Sequence, residues 1–360
     1  MNSLLRIFPV PKFLTLSALA IDISDASVKY LALFVDKGKV VLGPYGDEPL
    51  PAGVVSSGGK IEHAAELVKV LAKIESEHSL GHVALALPEE QAYLVELRLP
   101  FMKESELRGS LELSLEEYIP LPLAETIFDY EIVSRPATPK DSYDLAVGAL
   151  PQTLVQSYLS ACTEAGMNPL SFEIEAHALA RAVIPRDAEG SYMIVDLGKT
   201  RTGFAIGDAQ RVMFSSTVPL GGDAITKALV KQLAITYEKA EELKTTKGLS
   251  RAKGDEALFE ALIPVLSALK DEVGKHYAFW HSHPDSGGVK RVPIRKIFLV
   301  GGQANMPGLA DYLSSGLGCV ALAGNPWVNI PLASPVPLMP YPVALRFVTT
   351  IGLALRHLVI

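Results

Sequence analysis

Two aspartates, each set in a hydrophobic run and followed by a small polar turn, are the residues of this chain best placed to do chemistry. Asp22 lies in "LAIDISDASVKYLALFV" and Asp196 lies in "SYMIVDLGKTRTGFAI", about half a chain later. Backbone N–H groups in such turns can point at anionic oxygens, and small residues let a phosphate approach the backbone. A carboxylate there repels phosphate unless a Mg²⁺ ion lies between them. The pair predicts two facing turns that hold a phosphate chain and its cation between them.

The turns themselves supply the candidate phosphate contacts, and a glycine pair supplies a third element. The candidates are Asp22, Ser24, Ala26 and Ser27 in the first turn, and Asp196, Gly198, Thr200 and Thr202 in the second. Further along, "VGGQ" at 300–303 ends a strand in two glycines before a helix. These glycines would present flat backbone against which a purine could lie. The three segments together predict a nucleotide site.

Each of these residues also has an ordinary structural interpretation. Asp22 could cap its turn or pair with Lys29, and the glycines at 301–302 could form a plain strand-to-helix turn. Glu241 and Lys244 lie one helical turn apart and could form a solvated ion pair of little energetic value. The recurrence of the aspartate-turn pattern, followed by the glycine pair, favours the functional interpretation.

Composition excludes several classes of protein. A chain of 360 residues is long enough for two or three lobes. A net charge of −7 argues against a nucleic-acid-binding surface, because a phosphate backbone attracts basic faces. Cys162 and Cys319 are far apart and in no metal-binding spacing. They predict free thiols in a reducing compartment.

Neither end of the chain predicts a membrane span. Residues 1–15 are hydrophobic but carry Arg6 and two prolines. The uncharged run Phe13–Ile21 is far shorter than the ~20 residues of a bilayer helix. "ALA" at 18–20 mimics a signal-peptidase site, but cleavage there would remove the start of the first strand. We therefore expect a partner-binding tail at the start and a buried amphipathic helix at the end.

The elements that must position these residues form two related units and an insert. A strand-strand-strand-helix pattern occurs twice, each time led by one of the two aspartates, and a βαββα segment interrupts the first unit. The expected first lobe has a core at 16–93 and 169–189 and a closing helix at 337–360, and an insert at 94–168 interrupts it. The expected second lobe has a core at 190–225 and 295–336 and a helical subdomain at 226–294. A tail at 1–15 precedes both lobes.

Several phrases of the chain resemble a known family. "DISDASVK", "VDLGKTRT" and "LVGGQANMPGL" resemble the phosphate-1, phosphate-2 and adenosine signatures of the actin, Hsp70 and sugar-kinase ATPases. The insert resembles that of the cell-division protein FtsA and of the type IV pilus assembly family PilM. "EIEAHALARAV", "VPLGGDAITKAL", "AEELKTTKGL", "GNPWVNI" and "TTIGLALR" are similar to the PilM family. The resemblance implies an α/β, actin-like (ribonuclease H-like) two-lobed ATPase fold with duplicated βββαβα units and an FtsA-type α+β insert.

Carried over residue by residue, the resemblance implies an ATP site with Mg²⁺. Asp22 and Asp196 would hold the ion through water, and Glu175 would help to place an attacking water. The implied ATP-binding residues are Ser24, Asp25, Ala26, Ser27, Lys29, Gly198, Lys199, Thr200, Thr202, Gly221, Gly222, Asp223, Glu241, Lys244, Gly301, Gly302 and Gln303. Ala20 and Ser24 stand where PilM relatives often carry glycine. The first turn then has less backbone freedom, so we expect ATP binding with weak hydrolysis.

The resemblance also implies partners and a location. PilM-like proteins are cytoplasmic scaffolds at the inner face of the cytoplasmic membrane, and they grip the N-terminal tail of the membrane protein PilN in a groove near the insert. This would link nucleotide state to the PilN–PilO complex, with membrane and motor contacts made only through partners and no nucleic acid bound. Two alternatives share the fold, an FtsA-type cell-division ATPase and a small-molecule kinase. No evident carboxylate base supports a kinase, and the lack of an FtsA-type amphipathic tail after the closing helix favours PilM.

Overall fold

A computed structural model describes residues 18–79, 81–208, 211–285, 287–330 and 339–358. The predicted tail at 1–15 and much of the proline-rich stretch before the closing helix lie outside these residues. The strands are β1 (Leu19–Ile23), β2 (Ser27–Asp36), β3 (Lys39–Pro49), β4 (His82–Leu87), β5 (Tyr93–Pro100), β6 (Thr126–Ser134), β7 (Ser142–Pro151), β8 (Asn168–Ile174), β9 (Ser191–Leu197), β10 (Thr202–Gly207), β11 (Val212–Val218), β12 (Ile294–Val300) and β13 (Ala321–Ala323). The helices are α1 (Ala64–His78), α2 (Glu104–Leu115), α3 (Gln152–Glu164), α4 (Glu175–Val183), α5 (Gly222–Leu233), α6 (Tyr237–Thr246), α7 (Glu256–Ser282), α8 (Leu309–Leu317), α9 (Tyr341–Ala344) and α10 (Val348–Arg356).

Two five-stranded sheets of the same topology form the two lobes. The first sheet has the order β3-β2-β1-β4-β8 and the second has the order β11-β10-β9-β12-β13. In each sheet the leading three strands are antiparallel neighbours, and the last two strands run parallel to the central one. Every residue of β1 is buried, which is why this strand reads as an apolar run broken only by Asp22. The duplicated units predicted from the sequence are therefore present.

The insert carries a small core of its own. Strands β5, β7 and β6 form an antiparallel sheet in that order, and α2 packs its buried leucines Leu107 and Leu111 into a cluster with β5 and β7. The last helix of the predicted insert, α3, contacts β6 and β7 of the insert as well as α1 and β8 of the first lobe. Its buried Tyr158 and Cys162 belong to the large core of the lobes, and the Tyr158 hydroxyl donates to Gly59 O at 2.7 Å. Helix α3 thus joins the insert to the first lobe.

Helix α10 closes the first lobe, as expected of the C-terminal segment. It packs against α4 and against β1, β2 and β4, and all of its residues except Arg356 are buried. The two helices approach each other at Gly352, where a Cβ atom would lie only 1.9 Å from Ala178 O. Glycine is required there because any side chain would force the helices apart. Among the described residues, no helix has the length and apolar character needed to cross a bilayer.

Candidate functional site

Asp22 and Asp196 line the same cleft between the two lobes, a cavity of about 510 Å³ that we call the interlobe cleft. Sixteen of the twenty predicted site residues line it: Asp22, Ser24, Asp25, Ala26, Ser27, Lys29, Glu175, Asp196, Gly198, Lys199, Thr200, Asp223, Glu241, Gly301, Gly302 and Gln303. The turns after β1 and β9 meet there because the two lobes face each other with equivalent strand ends. The two predicted aspartate-bearing turns therefore line one cavity.

The other four predicted residues lie behind the second turn and support it. The Thr202 hydroxyl donates to Leu220 O, and the Gly222 N–H donates to Gly198 O at 3.0 Å. A Cβ on Gly221 would lie 2.5 Å from the backbone of the 199–201 turn, so the start of α5 can pack here only without a side chain. Lys244 is fully buried, and its Nζ donates to the Thr226 hydroxyl at 2.7 Å. These residues hold the loop in place without lining the cleft.

The first turn is closed by its own serine. The Ser24 hydroxyl donates to Ser27 O at 2.9 Å and accepts the N–H groups of Ala26 and Ser27 at 3.3 and 3.1 Å. Ser24 does not have a positive φ, so the turn forms without the left-handed conformation that glycine favours. The hydroxyl therefore occupies the N–H groups that were predicted to cradle a phosphate, and an incoming phosphate oxygen would have to replace it as their acceptor.

Buried carboxylates crowd the floor of the cleft. Asp22 is paired with Lys29, with Oδ2 and Nζ 3.6 Å apart, so its alternative structural interpretation is also realised. Burial, and next the Asp22 carboxylate, raises the pKa of Glu175 to about 8 and the pKa of Asp196 to about 6. Among the described residues, no group of three or more His, Cys, Asp or Glu side chains is arranged to hold a metal ion directly. The charges suit a cation bound through water, which would relieve their mutual repulsion.

The glycine pair and the helical subdomain also line the cleft. Gly301 has a φ of 83°, and a Cβ there would lie 2.4 Å from Asp196 Oδ1. In the helical subdomain, the Tyr237 hydroxyl donates to Asp223 Oδ1 at 2.7 Å. Glu241 accepts from Lys244 Nζ at 2.5 Å, so this pair reaches the cleft through Glu241 alone. The glycine pair thus lies directly beside one of the two aspartates.

Several residues that line the cleft were not predicted. They are Asp47, Leu179, Glu89, Arg201, Gly203, Tyr237, Thr245, Leu345, Arg346, Val348 and Thr349. Glu89 is buried, accepts from the Thr217 hydroxyl at 3.1 Å, and has a pKa raised well above its usual range by burial and next by Glu175. The signal for Glu89 was available, because "LPEEQ" places two acids directly after the buried strand β4, as Asp22 is placed in β1. Arg201 could have been noticed as a large charged residue inside a small polar turn.

A second cavity of about 540 Å³ lies between the insert sheet and the lobes, and we call it the insert groove. Its lining residues are Leu87, Leu94, Val95, Glu96, Ile127, Phe128, Asp129, Tyr130, Glu131, Ala146, Val147, Gly148, Leu150, Val155, Phe172, Glu173, Ile174, His177, Arg181, Arg211, Val212, Met213 and Arg356. Glu173 is buried at its base, in contact with Arg181 and 3.6 Å from Arg356. Burial alone would raise the pKa of Glu173, but the two arginines hold it below its usual value. At the base of the groove one carboxylate is thus paired with two arginines.

Solved structures with similar architecture identify the fold. The chain is similar to a structure described as "PilM-PilN type IV pilus biogenesis complex", with a TM-score of 0.74, 22% identity and coverage of 94% of this chain and 98% of that chain. It is also similar to the ethanolamine utilization protein EutJ from Carboxydothermus hydrogenoformans, with a TM-score of 0.54, 16% identity and coverage of 96% and 91%. MreB5 of Spiroplasma citri bound to ADP gives a TM-score of 0.54 and 12% identity, with 87% and 93% covered.

These similarities confirm the predicted actin-like α/β fold. The sequence carries the closer relationship. A family model described as "Type IV pilus assembly protein PilM" matches residues 20–358, which is nearly the whole chain and includes both lobes and the insert. The chain therefore belongs to the PilM family of type IV pilus assembly proteins.

Proposed function

We propose that this chain is a nucleotide-binding scaffold of the type IV pilus assembly machinery. It would hold ATP with Mg²⁺ in the interlobe cleft and the N-terminal segment of a PilN-like membrane protein in the insert groove. Family membership supports the role in pilus assembly. One similar structure is a PilM–PilN complex, and another, MreB5, has ADP bound. The protein would then lie at the cytoplasmic face of the membrane and reach PilO and the pilus motor through PilN.

The observation that carries the nucleotide proposal is that Asp22 and Asp196, each near the end of its own strand, line one cleft. Eight acidic and four basic side chains line this cavity, so a triphosphate alone would meet an excess of negative charge. A Mg²⁺ ion held through water by the two aspartates would supply the missing positive charge and would orient the phosphates. The turn at 24–27 and the turn at 198–200 would contact the phosphate oxygens. Gly301 and Gly302 would back the adenosine.

Slow hydrolysis fits the environment of Glu175. With a pKa of about 8, this side chain is mostly protonated at neutral pH and accepts a proton from water poorly. Its Oε1 accepts from the Thr349 hydroxyl at 3.3 Å, which fixes the carboxyl group in place. A bound cation would lower the pKa of Glu175 by adding positive charge nearby. Water positioning by Glu175 would therefore depend on whether a cation is bound in the cleft.

The insert groove has the composition expected of a peptide-binding surface. Its walls are strand faces with small and aliphatic residues such as Val95, Ala146 and Gly148. Acidic and basic side chains are distributed along it, so a segment with both apolar and charged residues could bind in one register. Recognition of an extended or helical segment in such a groove is a common mode of peptide binding. This supports the assignment of the PilN segment to the groove.

Calorimetric titration tests the nucleotide site. We expect Asp196→Ala to weaken binding of ATP in the presence of Mg²⁺ by tenfold or more, about 1.4 kcal/mol, because one of the two groups holding the ion is lost. Chelation of Mg²⁺ should weaken binding to the parent protein at least as much. The matched control is Asp271→Ala, an exposed aspartate on α7 outside both cavities. Equal affinities for the parent and Asp196→Ala would contradict the site.

Fluorescence anisotropy with a labelled peptide from the N-terminus of PilN tests the groove. We expect Ala146→Glu to reduce peptide affinity about tenfold, because the new carboxylate fills the groove beside Glu96 and Glu131. The matched control is Ala124→Glu, at an exposed position of the insert outside the groove. Unchanged affinity of Ala146→Glu would place the peptide elsewhere.

A further inference from the structure

Arg201 crosses from the second lobe to three groups of the first lobe. Its Nε lies 2.6 Å from Glu90 Oε1, and its Nη2 lies 3.5 Å from Glu175 Oε2. Its Nη1 donates to Ser57 O at 2.9 Å. The side chain is only 16% exposed, so these charges are poorly screened by solvent. Removal of one partner would leave the other buried charges uncompensated.

Two further hydrogen bonds cross between the lobes beside Arg201. The Thr200 hydroxyl donates to Asp25 Oδ2 at 2.7 Å, which links the two turns directly across the cleft. Thr217 on β11 donates to the buried Glu89 of the first lobe. The second-lobe groups come from the turn before β10 and from β11, so they move together. The contacts therefore fasten one hairpin of the second lobe to the first lobe.

The two oxygens of Glu175 are held by different parts of the molecule. Oε1 accepts from Thr349, which lies in the same lobe, and this contact does not depend on how the lobes are arranged. Oε2 faces Arg201, which lies in the opposite lobe. An opening of the cleft would break the second contact and leave the first intact. The orientation of Glu175 thus depends on the position of the second lobe.

We propose that Arg201 is a positioning residue of the interlobe cleft. It holds the lobes closed through Glu90 and Ser57, and in the closed arrangement it fixes the carboxyl group of Glu175. This inference rests on the proposed nucleotide site for its role in catalysis and nucleotide retention. Among the described residues, Glu90 and Glu175 are the two carboxylates of the first lobe that form ion pairs with Arg201, at 2.6 and 3.5 Å. When the lobes close, the contact with Arg201 fixes the carboxyl group of Glu175, which is predicted to place water.

Energy transfer between two dyes tests the closure. Lys39→Cys on the first lobe and Glu238→Cys on the second lobe are exposed labelling positions, whereas the native Cys162 and Cys319 are buried. We expect Arg201→Gln to lower the transfer efficiency of the nucleotide-free protein. It should also release a fluorescent ATP analogue at least fivefold faster. Arg201→Lys keeps one charged donor and should give intermediate values.

Controls separate this claim from general destabilisation. Arg135→Gln removes an arginine from an exposed ion pair with Glu104 in the insert and should match the parent in both measurements. In the release rate, Glu175→Gln and Arg201→Gln should be non-additive, because they remove the same contact. Full additivity would overturn the link to Glu175.

Three results would be decisive. A folded Arg201→Gln variant with the parent's interlobe distance and release rate would overturn the proposal. If that variant does not fold, Glu90→Gln removes the same ion pair from the side of the first lobe. A folded Glu90→Gln variant with the parent's interlobe distance would equally overturn the proposal. A parent protein that binds no nucleotide would refute the proposed function instead, while the nucleotide-free distances would still decide whether Arg201 holds the lobes.

Discussion

The interlobe cleft and the insert groove are nearly equal in volume, at about 510 and 540 Å³, yet they are built from different parts of the fold. The cleft is lined by turns at strand ends, where backbone polar groups, glycines and carboxylates converge. The groove is lined by the faces of strands and of α4, so most of its surface is side-chain carbon with charges at intervals. Turns suit a polyanion with its cation, whereas strand faces suit a peptide segment.

The buried acids of the two cavities are also balanced differently. In the cleft, Glu175 and Asp196 have raised pKa values because burial and the neighbouring Asp22 oppose their ionisation. In the groove, Glu173 has a lowered pKa because Arg181 and Arg356 surround it. The cleft is therefore short of positive charge and would gain stability from a bound cation. In the groove the buried acid already has two cationic partners and would not require an ion.

The largest expected effect of a single substitution comes from breaking the Glu173 cluster of the groove. Glu173→Gln would leave Arg181 and Arg356 without a carboxylate partner, and we expect a loss of about 3 kcal/mol in the free energy of unfolding. Denaturant titration measures the loss. Glu104→Gln, in the exposed pair with Arg135, should lose less than about 1 kcal/mol. Equal losses in the two variants would show that the groove cluster is no more tightly coupled than a surface pair.

A pH series tests the unbalanced cluster. The raised pKa values of Asp196 and Glu175, about 6 and about 8, mean that the folded protein binds more protons than the unfolded chain between roughly pH 4 and pH 8. Stability is therefore highest at the acid end of this window and falls as the pH rises through those values. We expect a decline of about 2 kcal/mol between pH 6 and pH 7 in nucleotide-free protein, and a larger decline across the whole window.

The same series has an internal check. Glu175→Gln cannot ionise, so its decline between pH 5 and pH 8 should be shallower than that of the parent. Glu62→Gln, at an exposed position outside both cavities, should keep the parent's slope. Chemical denaturation at each pH measures both. A parent whose stability rises across this window would contradict the raised pKa values.

The smallest expected effect concerns the first turn of the cleft. Ser24→Gly removes the hydroxyl that occupies the N–H groups of Ala26 and Ser27, so these donors become available to a phosphate. We expect about threefold tighter ATP binding, together with a loss of up to ~1 kcal/mol of stability from the added chain entropy. Calorimetry measures the affinity, and binding of the PilN peptide should not change. Weaker ATP binding would show that the serine hydroxyl is itself a useful contact.

The parts of the cleft that the sequence predicted are those defined by local pattern. Asp22 and Asp196 lie near the ends of buried strands, the glycines at 301–302 follow another, and their type and order are visible in the chain. Arg201 and Glu90 are visible in the chain as charged residues beside strand ends, but their pairing depends on the meeting of two lobes, which no local pattern encodes. Only the fold reveals that these two side chains are partners.

The fold was predictable to a similar degree and for a similar reason. Hydrophobic periodicity predicted the strands and helices, including α3, whose apolar face is evident from its sequence. Periodicity states which face is buried but not what covers it. The sequence predicted α3 as the last helix of the insert, and its periodicity could not indicate that the helix also packs on α1 of the first lobe. For the same reason the sequence did not show that Thr202 and Gly221 support the second turn from behind and do not line the cleft.

The close approach of α4 and α10 at Gly352 has a mechanical consequence. Because Ala178 O leaves no room for a side chain there, the backbones of the two helices are in direct contact, and a shift of one would push on the other. One face of α4 carries Glu175 and Leu179 in the interlobe cleft, and another face carries His177 and Arg181 in the insert groove. A ligand that displaces α4 from within one cavity would therefore move a wall of the other cavity as well.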